Sequence, residues 1–428
     1  MQRQFGQNTT LEVGYVGVWA NHLFQGVDLN SVPWMMKYGG QQFTQAWDNL
    51  YNYVQAHGLG AGAIANAPSQ PFLEAALAGQ NYCANSSGTA VTCGSAGANY
   101  PNYTQAVLAN EGQNIAGDNL MNLWSDLDGS WAFGPTLYST NQGFYVYGNT
   151  STGFSNYQAM VVKLKERAAR GLTFNANFTY SHDLGTLGLS QTYTLDSPDN
   201  VYNLQSDLTP APWDQKFIFN FLGTYQLPFG QGQHGWIGKL IGGWLVSPVL
   251  TMSSGLPVEV YTGSFGEMGA GFAENGASAV AVGGKVGSSN WTSTPILGTV
   301  VPTNASNPNS VGVNGNPANG GTGVNLFGSE AINYYNSFRP FLLGVDGAPS
   351  PDGEYRGMPR WNIDLGVTKD TQITERVHAQ IFAQAFNLFN IMQFSNPFLD
   401  LQDPQAWGVL GGQANQPRII QLGLRFSF

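Results

Sequence analysis

Segments that alternate strictly between apolar and polar residues recur along this chain, and the connections between them alternate long and short. The clearest segment is Leu172–His182, LTFNANFTYSH. Leu172, Phe174, Ala176, Phe178 and Tyr180 share one side of an extended chain, and Thr173, Asn175, Asn177, Thr179 and Ser181 share the other. The same reading predicts strands at Leu11–Val18, Tyr157–Glu166, Leu172–His182, Lys216–Leu227, Trp244–Met252, Trp361–Thr368, Val377–Phe389 and Arg418–Phe428. The connections 19–156, 183–215, 253–360 and 390–417 are long, while 167–171, 228–243 and 369–376 between them are short. In a row of antiparallel strands this order puts every long connection at one end. A soluble sandwich has no reason to do so. A transmembrane barrel does, because its outer loops are long and its periplasmic turns short. The expected fold class is therefore all-β, an antiparallel transmembrane β-barrel.

Composition agrees. Only 10% of the residues are charged, against roughly 25% in ordinary soluble domains. Aromatic residues make up 13% and there are 55 glycines. No stretch approaches the roughly 20 apolar residues of a membrane-spanning helix, and the mean hydropathy is −0.16. The net charge of −10 excludes a basic face for phosphate backbones, so no nucleic-acid partner is expected. Lys163, Lys165, Arg167 and Arg170 do cluster, but without interleaved aromatics they read as a solvated turn.

The last segment places Ile420, Leu422, Leu424, Phe426 and Phe428 on one face and Ile419, Gln421, Gly423, Arg425 and Ser427 on the other. Soluble chains seldom end on an aromatic strand, since termini fray. The alternation assigns Phe174, Phe178, Tyr180, Phe217, Phe219, Phe221, Leu422, Leu424, Phe426 and Phe428 to lipid. It assigns Asn175, Asn177, Asn220, Gln421 and Arg425 to the lumen.

Cys83 and Cys93 stand in a polar, Gly-rich stretch at a spacing that suits a small disulfide loop in an exported protein. Met1–Phe5 has no apolar core of a signal peptide. The five histidines share no motif with a carboxylate, and no nucleophile–base pair, zinc helix or phosphate loop is present, so no enzyme, cofactor or metal is expected. Asp126-Leu127-Asp128-Gly129 is a fragment of a calcium loop without its further ligands and reads as a surface turn. Gln41–His57 and Pro71–Ala78 have helical aromatic spacing suited to a small core.

LEVGYVG (11–17), SNYQAMVVKLKERAARGLTFNANFTYSHDL (155–184) and YNLQSDLTPAPWDQKFIFNFLGTYQLPFGQG (202–232) bring in a family. So do GGW (242–244), SSGLPVEV (253–260), RWNIDLGVTKDTQITERVHAQIFAQAFNLFN (360–390) and PRIIQLGLRFSF (417–428). With these the chain resembles the C-terminal half of Oar-like, acidobacterial-type TonB-dependent receptors of Gram-negative cells. The resemblance implies an open section of about eight strands or more from a barrel of roughly 22 strands, closed elsewhere by a plug. It makes 1–428 the C-terminal section of that barrel and 19–156 and 253–360 extracellular insertions. No plug or TonB box is visible, and Gln2–Phe5 with Gly6-Gln7-Asn8 looks like the end of a strand and its turn, so a fragment is expected. The implied location is the outer membrane, with lipid as partner. The implied protein partners are TonB, through the missing plug, and the barrel-assembly machinery, through the strand ending in Phe428. The implied function is ligand uptake. The rival expectation is an adhesive or structural surface protein that uses the barrel as an anchor. Trp124, Trp131 and Trp213 are the expected ligand contacts. Asp48, Glu74, Glu111, Asp118, Asp126 and Asp128, with no basic residue after Lys37, favour a neutral saccharide or peptide over an anionic siderophore.

Overall fold

The computed structural model describes residues 1–28, 32–33, 35–117, 119–129, 147–186, 202–204, 208–230, 232–262, 277–282, 311–313, 324–340, 355–374 and 376–428. A single ten-stranded antiparallel sheet forms the wall. Its path is β1 (Gln2–Phe5), β2 (Thr9–Asp28), β3 (Tyr147–Ala169), β4 (Leu172–Gly185), β5 (Phe217–Gln226), β6 (Trp244–Ser253), β7 (Arg360–Gln372), β8 (His378–Phe386) and β9 (Ile419–Ser427). Each strand pairs with its neighbours in sequence, and the short strand Thr209–Pro210 adds to β4. Among the described residues β9 is not paired with β1, so the sheet has two free edges.

All eight expected strands are present, and Gln2–Phe5 returns into β2 across Gly6-Gln7-Asn8 as anticipated. The boundaries differ most in the first pair. β2 runs to Asp28 and β3 begins at Tyr147, with irregular pairing between Asn21 and Gln25 where His22 takes a left-handed conformation. These strands have 20 and 23 residues, well beyond the roughly 9–11 needed to cross a bilayer. The first insertion is therefore 29–146 rather than 19–156. The basic cluster is not one turn either. Lys163 and Lys165 lie inside β3, where Lys163 meets Glu12 at 3.6 Å, and Arg170 with Gly171 makes the β3–β4 turn. Both turn residues have positive φ, the requirement of a tight hairpin whose twist matches its strands.

Directly paired residues of antiparallel strands share a face. Following the register across the wall gives one row of Val13, Val162, Phe178, Phe219, Met252 and Trp361. The next row, one residue along, is Glu12, Lys163, Asn177, Asn220, Thr251 and Asn362. The split continues to the far edge, where Ile381 with Leu424 and Ala383 with Leu422 alternate with Gln380–Arg425 and Gln384–Gln421. The sheet thus has one mainly apolar and one mainly polar face, with Leu222, Val249 and Phe382 on the polar side, Glu166 and Lys369 on the apolar side, and the residues expected to face lipid and lumen on opposite sides.

Antiparallel order puts the connections 29–146, 186–216, 254–359 and 387–418 at one end of the wall. Two of these regions have cores of their own. In the first insertion α1 (Phe43–His57), α2 (Ala61–Ala65), α3 (Pro71–Ala76), α4 (Tyr103–Ala116) and α5 (Leu120–Gly129) enclose Phe43, Trp47, Leu50, Phe72, Leu108 and Leu123. Asp126–Gly129 is accordingly the end of a helix with Leu127 buried, not a surface turn. A second core joins 254–262, 277–282, 324–340 and 398–410 around the fully buried Trp407, with Phe327 stacked on it at 6.1 Å. The connection after β8 is therefore part of the same unit as the long one after β6. The two cores touch, since Val280 packs against the first.

Candidate functional site: a polar cleft and the clasp above it

On the polar face, at the end that carries the insertions, two adjoining cavities of about 420 and 270 Å³ open along the wall and share Asn362 and Gln393. Asn220 and Thr251 of the polar row line the smaller one, and Asp364, Asn387 and Asn415 line the larger. The lining is held by an amide network. Asp364 Oδ1 accepts from Asn362 Nδ2 at 2.7 Å and from the Asn387 N–H at 2.8 Å. Asn387, itself at φ 50°, donates from Nδ2 to the carbonyls of Ile391 and Gln416 and accepts the Ile391 N–H. Asn415 accepts the Gln393 N–H at 2.8 Å. Phe386, Pro417, Ile419, Met252 and Trp361 line it as well, so the cleft is a largely apolar surface with a few polar groups in fixed positions, which suits a molecule with both apolar and hydrogen-bonding parts.

Beside it a buried ion pair fastens two connections together. Asp214 and Arg356 are 2% and 3% exposed, and Arg356 Nη2 donates to Asp214 Oδ2 at 2.5 Å. Arg356 Nη1 also donates to the carbonyls of Asp214 and Gly255, and the Asp183 N–H donates to Asp214 Oδ1 at 2.8 Å. His182 Nδ1 stands 3.5 Å from Asp214 Oδ2 and 3.2 Å from Lys216 Nζ. Burial works against the Asp214 carboxylate, but hydrogen bonds from His182, Arg356 and the Asp183 N–H outweigh it and hold the carboxyl below its ordinary 3.8. A depressed folded-state pKa adds stability that is complete above the unfolded value and lost as pH falls through the folded one. The clasp should therefore stay shut at all pH values above about 4. Limited proteolysis of the connection before β5 should accelerate only in stronger acid.

The expected contact residues divide. Trp213 is half exposed and its Nε1 donates to Asp183 Oδ2 at 2.9 Å, which places it at the clasp. Trp124 is 4% exposed and packs edge-on against Phe43 at 5.1 Å, so its ring serves the core of the first insertion and offers no open surface. Trp131 lies outside the described residues. Cys83 and Cys93 are bonded, with Cα atoms 5.0 Å apart, and close a ten-residue loop over the hairpin Cys83–Ala84 with Ala90–Val91. A loop of that size contributes about 2.5–3 kcal/mol through the unfolded state. Exchanging both cysteines for serine should expose 84–100 to protease while the wall stays folded, as read by cleavage mapping with and without reductant.

The family profile described as an outer membrane beta barrel domain matches residues 1–421. No curated protein sequence matches the chain. Among solved structures the chain is similar to the outer membrane transporter YddB from Escherichia coli, at 10% identity and a TM-score of 0.31, over 66% of this chain and 26% of that one. It is also similar to P. aeruginosa FpvA bound to heterologous pyoverdines, at 12% identity and a TM-score of 0.29, over 68% of this chain and 22% of that one. Scores at this level say nothing about function, and the chain spans about a quarter or less of either structure. The profile match stands on its own. With the two-faced antiparallel wall it leads to one conclusion: the chain belongs to the outer membrane β-barrel domain family, and its place is the outer membrane.

Proposed function

We propose that this chain is wall and outer loops of a TonB-dependent receptor of the Oar-like type, which captures a neutral saccharide or peptide outside the cell and admits it along the polar face. The observation that carries the reading is the placement of the cleft. It opens on the polar face at the end that carries two units with buried cores, and the Asp214–Arg356 pair ties the second of these to the connection before β5. A loop that merely joined two strands would need neither core nor clasp. In this reading a plug carried elsewhere in the protein meets TonB, and the last strand, ending in Phe428, is presented to the barrel-assembly machinery.

Uptake of fluorescent oligosaccharides and oligopeptides by cells carrying the complete gene separates transport from its rival. Transport requires accumulation that stops with a protonophore or with loss of TonB. An adhesive or structural protein would hold the probes at the surface, indifferent to both treatments.

A further inference from the structure

At the opposite end of the wall the connection from β5 to β6 folds into a short helix, α6 (Gly235–Ile241). Its polar atoms are directed at the protein. Lys239 Nζ donates to the carbonyl of Ile373 at 3.2 Å, and Trp244 Nε1 donates to the carbonyl of Leu240 at 3.2 Å. Gln233, just before the helix, donates to the carbonyl of Asp370 and accepts the Gln372 N–H. Its large apolar side chains point away. Trp236 is 76% exposed, Leu240 61%, and Ile237, Ile241 and the preceding Phe229 are exposed as well. A helix that turns its polar groups inward and its apolar groups outward is inverted for water.

Lys369 shows which side of the wall this helix occupies. Its register partners are Trp244 and Ile381, so its side chain leaves the sheet on the apolar face. There it is buried under α6. Nζ donates to the carbonyls of Lys239, at 2.7 Å, and of Gly242, and lies over the Trp244 ring at 5.3 Å. The last carbonyls of a helix are short of donors and carry partial negative charge, so an ammonium group fits them. Lys369 would otherwise stand bare on a face that meets lipid, where a charge is costly. The helix covers it and presents an apolar surface in its place. That surface continues into the exposed Ile381 and Leu424 of the same face.

We propose that α6 is an interfacial anchor, seated in the periplasmic leaflet of the outer membrane with Trp236, Ile237, Leu240 and Ile241 at the boundary of headgroups and acyl chains. The occupant is phospholipid, because the exposed surface is continuous with the apolar face of the wall and lies at the end with short turns. Trp suits that zone, as an apolar ring with one N–H to satisfy. The anchor fixes the height at which the wall sits.

Because Cys83 and Cys93 are bonded to each other, a new cysteine can be labelled selectively. Nitroxides at Trp236→Cys and Leu240→Cys, in the complete gene product in phosphatidylethanolamine–phosphatidylglycerol vesicles, report depth by collision with oxygen and with a water-soluble nickel chelate. Phe178→Cys near the middle of β4 on the apolar face and Gln7→Cys in a turn at the same end as α6 supply deep and aqueous references. Both α6 labels should favour oxygen several-fold over nickel and fall between the references. Values equal to Gln7→Cys would put the helix in water and overturn the proposal. Protection from both reagents would mean that protein covers it, and would overturn it equally. A Trp236→Phe variant gives an independent reading. The parent should lose fluorescence in vesicles brominated near the acyl carbonyl, and the variant should lose correspondingly less. Equal quenching in both would also refute the anchor.

Discussion

Replacing Arg356 with alanine is expected to cost about 3–5 kcal/mol, because it leaves the Asp214 carboxylate buried without its main partner. Asp214→Ala should cost a similar amount, stranding a guanidinium that also holds the carbonyls of Asp214 and Gly255. The double replacement Asp214→Asn with Arg356→Met should cost less than either alanine change alone. Neutral groups of similar size carry no such desolvation penalty. Thermal unfolding followed by the shift of the folded band on unheated gels measures all three. If the double variant lost the sum of the two single losses, the side chains would be acting separately and the clasp would not exist. Its position gives the test functional weight, since it joins the connection before β5 to the strand Tyr355–Arg356, which pairs with Pro257–Val258 beside the second core.

The second large effect tests which face meets lipid. Phe178 and Asn177 are neighbours near the middle of β4 and stand in the apolar and polar rows respectively. Arginine at Phe178 should destabilise the inserted protein by about 2–4 kcal/mol, the cost of a basic side chain on the lipid face near mid-bilayer. Arginine at Asn177 should have a much smaller effect, because it enters a row that already holds Lys163 and Glu12. Urea titration of protein folded into vesicles reads both changes in one assay. Equal losses, or a larger loss at Asn177, would reverse the assignment of the faces.

The wall was legible in the sequence wherever a strand has lipid on one side and polar surroundings on the other, since only that contrast forces strict alternation. Trp19–Asp28 and Tyr147–Asn156 also pair with each other, across register shifts between Asn21 and Gln25, yet they read as loop. Beyond the bilayer both faces meet polar surroundings, and the pattern dissolves into residues such as Gly148, Asn149, Thr150 and Ser151. The α1 helix showed through its aromatic spacing, and α3 through Pro71 at its start and the apolar Phe72, Leu73 and Ala76. α4 did not, because its buried face mixes Tyr103, Val107, Leu108 and Ile115 with Thr104, Gln105 and Gly112, and its one local sign is the cap at Asn102, whose side chain accepts the Gln105 N–H. The clasp was invisible for a different reason. Asp214, His182 and Arg356 stand in three separate segments that become neighbours only through strand pairing and the loop strands above it. Trp124 shows the limit for single residues: an indole in an insertion looks the same in sequence whether it faces a ligand or a core.

Asp28 and Tyr147, where the first insertion leaves and rejoins the wall, are partners in the same ladder. The insertion between them has its own apolar interior, so the wall's register is indifferent to what is spliced there. A unit attached at two adjacent points behaves as a cassette. Recombination can lengthen it, replace it or remove it in one step, and the strands below still find the same partners. Under the proposed sidedness, what the protein shows to its surroundings can be exchanged as a unit while the pairing of the membrane-embedded sheet is left as it was.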